Sequence, residues 1–280
     1  MNPIKSIDQN EENNRGNDRK IFVLLSWAIV VLFTVCALAL IALAFLRTVP
    51  NDNPDQTLET TDDLPVAVTP EDVILKETED AGLEYIGKMV FFGESTTAHL
   101  ASRPGLPIED SQVWRDSKNT QTLSSRITSE KINLGDAQLT IAEACAQVKP
   151  DYVVLSFGLN GIKNFVSNKN LYTGNYSKLI KTIQQASPET KIILQTVYPV
   201  SNASVFKVEL ETLNRYILTL NEWLPEIAAA HENVRVVDTA SVLRTTEGTL
   251  ASPYDMDDGI HLTADAYHAI LDYLRTHAWE

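Results

Sequence analysis

Several short runs in the chain are apolar at every position instead of at alternate ones: Met89-Val90-Phe91-Phe92, Val153-Val154-Leu155 and Ile192-Ile193-Leu194. A strand of that kind must be covered on both faces, which is the condition of a central parallel sheet with helices above and below it. The runs predict strands over 88–93, 151–157, 191–197 and 234–238, with a further short strand near 111–114. Helical periodicity lies between them over 138–148, 175–186, 205–230 (with Pro225 near a break) and 263–277, where Thr263 is a suitable N-cap. The fold class expected is α/β, a three-layer α/β/α sandwich around a parallel sheet. The stretch 104–133 follows neither period.

The part that precedes this pattern is of a different kind. Residues 21–46 form a run of 26 without a charge, about 39 Å long as a helix against the ~30 Å of a bilayer core. A run of that length exceeds the 7–15 apolar residues of a signal peptide, so an uncleaved transmembrane helix is expected. Arg19 and Lys20 abut its start, while an acidic tract follows Arg47. The positive-inside rule then puts residues 1–20 in the cytoplasm and the rest of a single-pass chain outside the cell membrane. Residues 47–84 hold eleven acids against two bases and four prolines, the composition of an extended stalk. The expected division is therefore a tail (1–20), a span (21–46), a stalk (47–84) and a folded domain (85–280).

Charge and cysteine content narrow the chemistry. The net charge of −14 repels phosphate backbones, so nucleic acid is not an expected partner. Of the two cysteines, Cys36 falls in the apolar run and Cys145 in a predicted helix, which leaves no disulfide framework and no cysteine metal site.

In parallel α/β sheets, ligands bind beyond the carboxyl ends of the strands. Three segments are delivered there. Gly93-Glu94-Ser95 follows the first strand, and Gly158-Leu159-Asn160-Gly161 follows the second long one. Asp258-Gly259-Ile260-His261 immediately precedes the last helix. Taken singly each is ordinary: a serine caps helices, Asn and Gly make turns, and an Asp/His loop can be plain surface. Together they supply a hydroxyl, an imidazole with a carboxylate three residues before it, and an amide donor, which is what nucleophilic acyl transfer requires.

At this point residues 85–280 resemble the SGNH/GDSL hydrolase family. The resemblance implies a triad of Ser95, Asp258 and His261. It also implies an oxyanion hole made by the Ser95 N–H, the Asn160 side chain and a backbone N–H for which Gly135 is the candidate. The sequence departs from the family pattern in carrying Glu94 where Asp is usual and Gly161 where a second Asp is usual. The implied activity is a serine esterase on acyl, above all O-acetyl, esters, with a cell-envelope glycan or a small acylated molecule as substrate and no metal or organic cofactor. Two alternatives stay open, an O-acyltransferase that moves the group to a glycan hydroxyl and a catalytically silent binding module. Trp114, Phe165, Tyr198 and Tyr254 lie near sheet-edge loops, where aromatic rings either stack on sugars or pack the core.

Overall fold

A computed structural model describes residues 68–279. The predicted span over 21–46, the tail before it and most of the stalk lie outside the described residues. Among the described residues, no helix is long and apolar enough to cross a membrane.

The elements in chain order are α1 (Gly82–Gly87), β1 (Met89–Gly93), α2 (Ser95–Ala98), β2 (Val113–Trp114), β3 (Ile132–Leu134), β4 (Ala137–Leu139), α3 (Ile141–Val148), β5 (Tyr152–Ser156), α4 (Ile162–Ser167), α5 (Lys169–Ala186), β6 (Lys191–Gln195), α6 (Leu210–Ala229), β7 (Val234–Val237) and α7 (Ala264–Arg275). Five strands form one parallel sheet in the order β2-β1-β5-β6-β7, while β3 and β4 make a separate hairpin. In this doubly wound order the crossovers reverse direction between β1 and β5, and the crevice opens at their carboxyl ends.

Doubly apolar strands are explained by what lies on each side. Val90, Phe92, Val153, Leu155, Ile192 and Leu194 point into a core shared with α3, α4, α5 and α6. Their neighbours Phe91, Val154 and Ile193 point into a second core closed by α1 and α7. The period-2 alternation of a strand thus feeds two separate apolar layers, and the three-layer α/β/α architecture follows.

Element boundaries differ from the sequence reading in three places. Gln138 and Leu139 belong to β4, and the following helix starts at Ile141, where Thr140 and Glu143 form a reciprocal capping box. The helix expected from Asn175 begins at Lys169, where the Asn168 side chain caps it by accepting from the Leu171 N–H, and Gly174, a poor helix former, is carried in its interior. The helix over 205–230 is shorter, Leu210–Ala229, and runs on through Pro225. The described end of the expected stalk also folds onto the domain. Val73 is buried, and the Leu75 N–H donates to the Val236 carbonyl at 2.8 Å, so the folded part starts before Tyr85.

Candidate active site

The turn after β1 is shaped by Gly93. A Cβ there would stand 2.5 Å from the Ser156 carbonyl oxygen and closer still to the Thr97 hydroxyl, so only glycine lets β1 and β5 run together into the turn. The next residue, Glu94, is the N-cap of α2 in extended conformation, and Ser95 is the first helical residue. Ser95 is therefore not a capping serine. Its Oγ lies 3.2 Å from Nε2 of His261, 166 residues away. The helix it begins is a single turn that continues as a 3-10 turn, His99–Ser102.

His261 and Asp258 are held by a tight loop ahead of α7. Asp258 accepts from the backbone N–H groups of Ile260 (2.9 Å) and His261 (2.8 Å) with Oδ1, and from the His261 ring Nδ1 at 2.6 Å with Oδ2. Slight burial pushes the Asp258 carboxyl up, but these bonds outweigh it and hold the group down at about 2. A charged carboxylate on Nδ1 leaves Nε2 as the ring nitrogen that faces Ser95. The loop is braced from the turn after β6. The Ser201 N–H donates to the Gly259 carbonyl at 2.9 Å, the Ser201 hydroxyl bonds Asp255, and the Gly259 N–H donates to Asp255 at 2.8 Å. Gly259 sits at φ +80°, and a Cβ on it would stand 2.5 Å from the Asn202 backbone nitrogen. Glycine is required there on both counts.

Asn160 follows β5 at the same rim. Its side-chain amide has no hydrogen-bond partner among the described residues, while its backbone is fixed by Glu94. The Glu94 carboxyl, 4% exposed, accepts from the N–H groups of Gly158, Leu159 and Asn160 at 3.0–3.1 Å, two bonds to each oxygen. Burial pushes this carboxyl up to about 8, against the opposing pull of the three backbone N–H groups. The longer side chain in place of Asp is thus the strut between the nucleophile turn and the Asn160 turn.

Gly135 occupies the exposed turn of the β3–β4 hairpin at φ +57°, with open space where its Cβ would be. A glycine in a two-residue hairpin turn answers to backbone handedness, and this is the signal the sequence carried. Of the four aromatic residues near the rim, Trp114, Phe165 and Tyr198 take the core-packing role left open to them, and Tyr254 is partly exposed. Cys145 is buried and its thiol is pushed up to about 12, so it is no competing nucleophile.

Two participants were missed from sequence. One is Glu94 as a strut. The other is His99, whose ring packs on that of His261 with centroids 4.7 Å apart. A histidine four residues after Ser95, on the same side of a short helical segment, was the available signal.

Solved structures similar in fold include a GDSL-like lipase from Bacteroides thetaiotaomicron (19% identity over 66% of this chain and 84% of that one, TM-score 0.47). Others are a carbohydrate esterase family 3 protein from Talaromyces cellulolyticus (14%, 67% and 93%, TM-score 0.46) and a family 3 carbohydrate esterase from Clostridium thermocellum (18%, 68% and 93%, TM-score 0.41). Comparison with curated protein sequences gives no match. The model of one family matches residues 91–269, well over half of the chain, from within β1 into α7. By that match the chain belongs to the GDSL-like lipase/acylhydrolase family.

Proposed function

We propose that the chain is a serine ester hydrolase with Ser95 as nucleophile, His261 as general base and acid, and Asp258 as the group that orients and charges-balances the imidazole. The observation that carries this reading is the unbroken chain of contacts from Ser95 Oγ to His261 Nε2 and from His261 Nδ1 to Asp258. As Ser95 Oγ bonds to the ester carbonyl carbon, its proton passes to Nε2, and the carbonyl oxygen becomes an oxyanion. The Ser95 N–H and the free Asn160 amide are the donors assigned to it. Collapse breaks the bond to the alcohol oxygen, which takes the proton from Nε2 and leaves. Water then repeats the sequence on the acyl-enzyme, releasing the acid and restoring the Ser95 hydroxyl.

The Asp258–His261 pair is partly exposed at the rim, and an open rim suits a polymeric alcohol such as an O-acetylated glycan. The uncharged run 21–46 supports a location at the cell membrane, with the catalytic domain on the outer side, within reach of envelope glycans.

The test is covalent labelling of the full chain with a fluorophosphonate, followed by mapping of the modified residue, together with hydrolysis of p-nitrophenyl acetate by Ser95→Ala. Labelling at Ser95 and loss of hydrolysis are expected. Full activity in Ser95→Ala overturns the reading. Acetate release from O-acetylated polysaccharide, measured against transfer to added oligosaccharide, separates hydrolysis from acyl transfer. Protease accessibility in intact cells tests the orientation.

A further inference from the structure

The Asp258–His261 pair is unusually open for a group that must hold one orientation, with side chains 48% and 29% exposed. Burial does not fix the imidazole, so something else has to wall it in. The chain that runs on from Ser95 does so with two contacts to consecutive residues. The His99 ring lies against the His261 ring, centroids 4.7 Å apart and planes inclined at 43°. Arg103, just past the end of the same 3-10 turn, donates its Nε–H to the carbonyl of Leu262 at 2.9 Å. Leu262 is itself fully buried, so the loop is pinned immediately after His261. The His99 Nδ1 is buried and without a hydrogen-bond partner among the described residues, which is an unfavourable arrangement unless the ring is held there by packing.

We infer that His99 is a positioning residue, whose ring is the wall that keeps the His261 imidazole aligned between Ser95 and Asp258. The inference rests on the catalytic reading given above and deepens it. Charge fits the role. The groups that face His99 are His261 and Asp258 from the base loop and Arg103 from its own segment. Burial, then His261 and Arg103, disfavour a proton on His99, while Asp258 opposes them, and the net direction is downward. A neutral wall is what His261 needs, because a second cation on its face would oppose the imidazolium formed during attack. The wall also belongs to the nucleophile's own segment, so that any displacement of Ser95 carries the wall with it.

The experiment compares His99→Ala and His99→Phe with the parent, all as full chains. Three quantities are read: the rate of fluorophosphonate labelling at Ser95, kcat and KM on p-nitrophenyl acetate, and the low-field NMR resonance of the proton between His261 and Asp258. A misplacement of the base by an ångström costs on the order of 10²-fold in rate, so His99→Ala is expected to lose about 10- to 100-fold in kcat with KM little changed. Its low-field resonance should broaden through exchange. His99→Phe, which keeps a flat ring and removes the titrating nitrogens, should restore kcat to within about threefold of the parent and sharpen the resonance. A His99→Ala chain with the parent's kcat and resonance overturns the inference. So does a folded His99→Phe chain as slow as His99→Ala. If the parent is not labelled at Ser95, the catalytic reading itself falls, whereas the resonance reports the ring packing whether or not the chain turns over.

Discussion

Replacing Glu94 by Gln removes one acceptor from the buried strut and nothing else of comparable size. Each carboxyl oxygen of Glu94 receives two backbone N–H groups, with the Asn160 N–H shared between them. Whichever way the amide is turned, its nitrogen replaces an oxygen that faced the N–H of either Gly158 or Leu159. A protonated carboxyl oxygen still accepts a bond, but an amide nitrogen does not. One buried donor is orphaned, at about 1–3 kcal/mol. The Asn160 turn shifts as a result, and hydrolysis of p-nitrophenyl acetate should fall by about 10- to 100-fold, mostly in kcat. The dependence on pH separates this account from others. Burial raises the carboxyl from 4.5 to about 8, so Glu94 favours the fold most when protonated. That contribution is complete below pH ~4.5 and is lost as pH climbs through ~8; the whole shift is worth on the order of 5 kcal/mol. Gln does not titrate. Urea midpoints should therefore place Glu94→Gln below the parent near pH 5 and level with it or above it near pH 9. A deficit that widens with rising pH would refute the reasoning, because it would mean that the three N–H groups bind the ionised carboxylate well enough to overcome its burial.

Other outcomes follow from the same geometry. Asn160→Ala removes a free amide donor at the rim and should lower kcat by about 10²–10³-fold while leaving the melting temperature near that of the parent. Gly259→Ala forces a side chain onto the Asn202 backbone at a left-handed φ; a loss of about 2–3 kcal/mol in chemical denaturation is expected, with hydrolysis reduced because the base loop moves. Asp258 has its carboxyl held at about 2, below its ordinary 3.8, so the stability it contributes is present above pH ~4 and is lost as pH falls toward 2. Asp258→Asn should accordingly be less stable than the parent at pH 6 and indistinguishable from it at pH 2 by thermal melts. The difference at pH 6 should be small, because the carboxylate is half exposed.

The sheet was legible because its strands are apolar on both faces, and a run such as Val153-Val154-Leu155 has few other ways to be buried. The residues at its rim were legible because chain order and strand ends together dictate where Ser95, Asn160 and the Asp258–His261 loop emerge. What could not be read depends on long-range pairing or on competition between local signals. Glu94 meets its partners 64 to 66 residues further on, and no local pattern announces that reach. Gln138 and Leu139 suit a helix and a hairpin equally, and the turn at Gly135 decides for the hairpin. The aperiodic stretch after β2 buries Leu123 and Ile127 among irregular turns, where apolar spacing carries no period to detect. For Trp114 the sequence allowed a sugar platform or a core position, and its place beside Phe92 in the sheet register turns it into the core.

The short parallel pairing of Val73 to Leu75 with Val236 has a consequence for how the domain behaves as a molecule among others. β7 is the outermost strand, and its backbone would otherwise offer a row of unsatisfied donors and acceptors to solvent. The Val73 carbonyl accepts from the Val236 N–H, and the Leu75 N–H donates to the Val236 carbonyl, so the incoming chain covers that edge at its middle. A protein shortened to begin at Tyr85 would keep Ser95, Asn160, Asp258 and His261 but lose this cover. Its bare margin would be free to recruit the same margin of a neighbour, and self-association would appear before any fault in the chemistry.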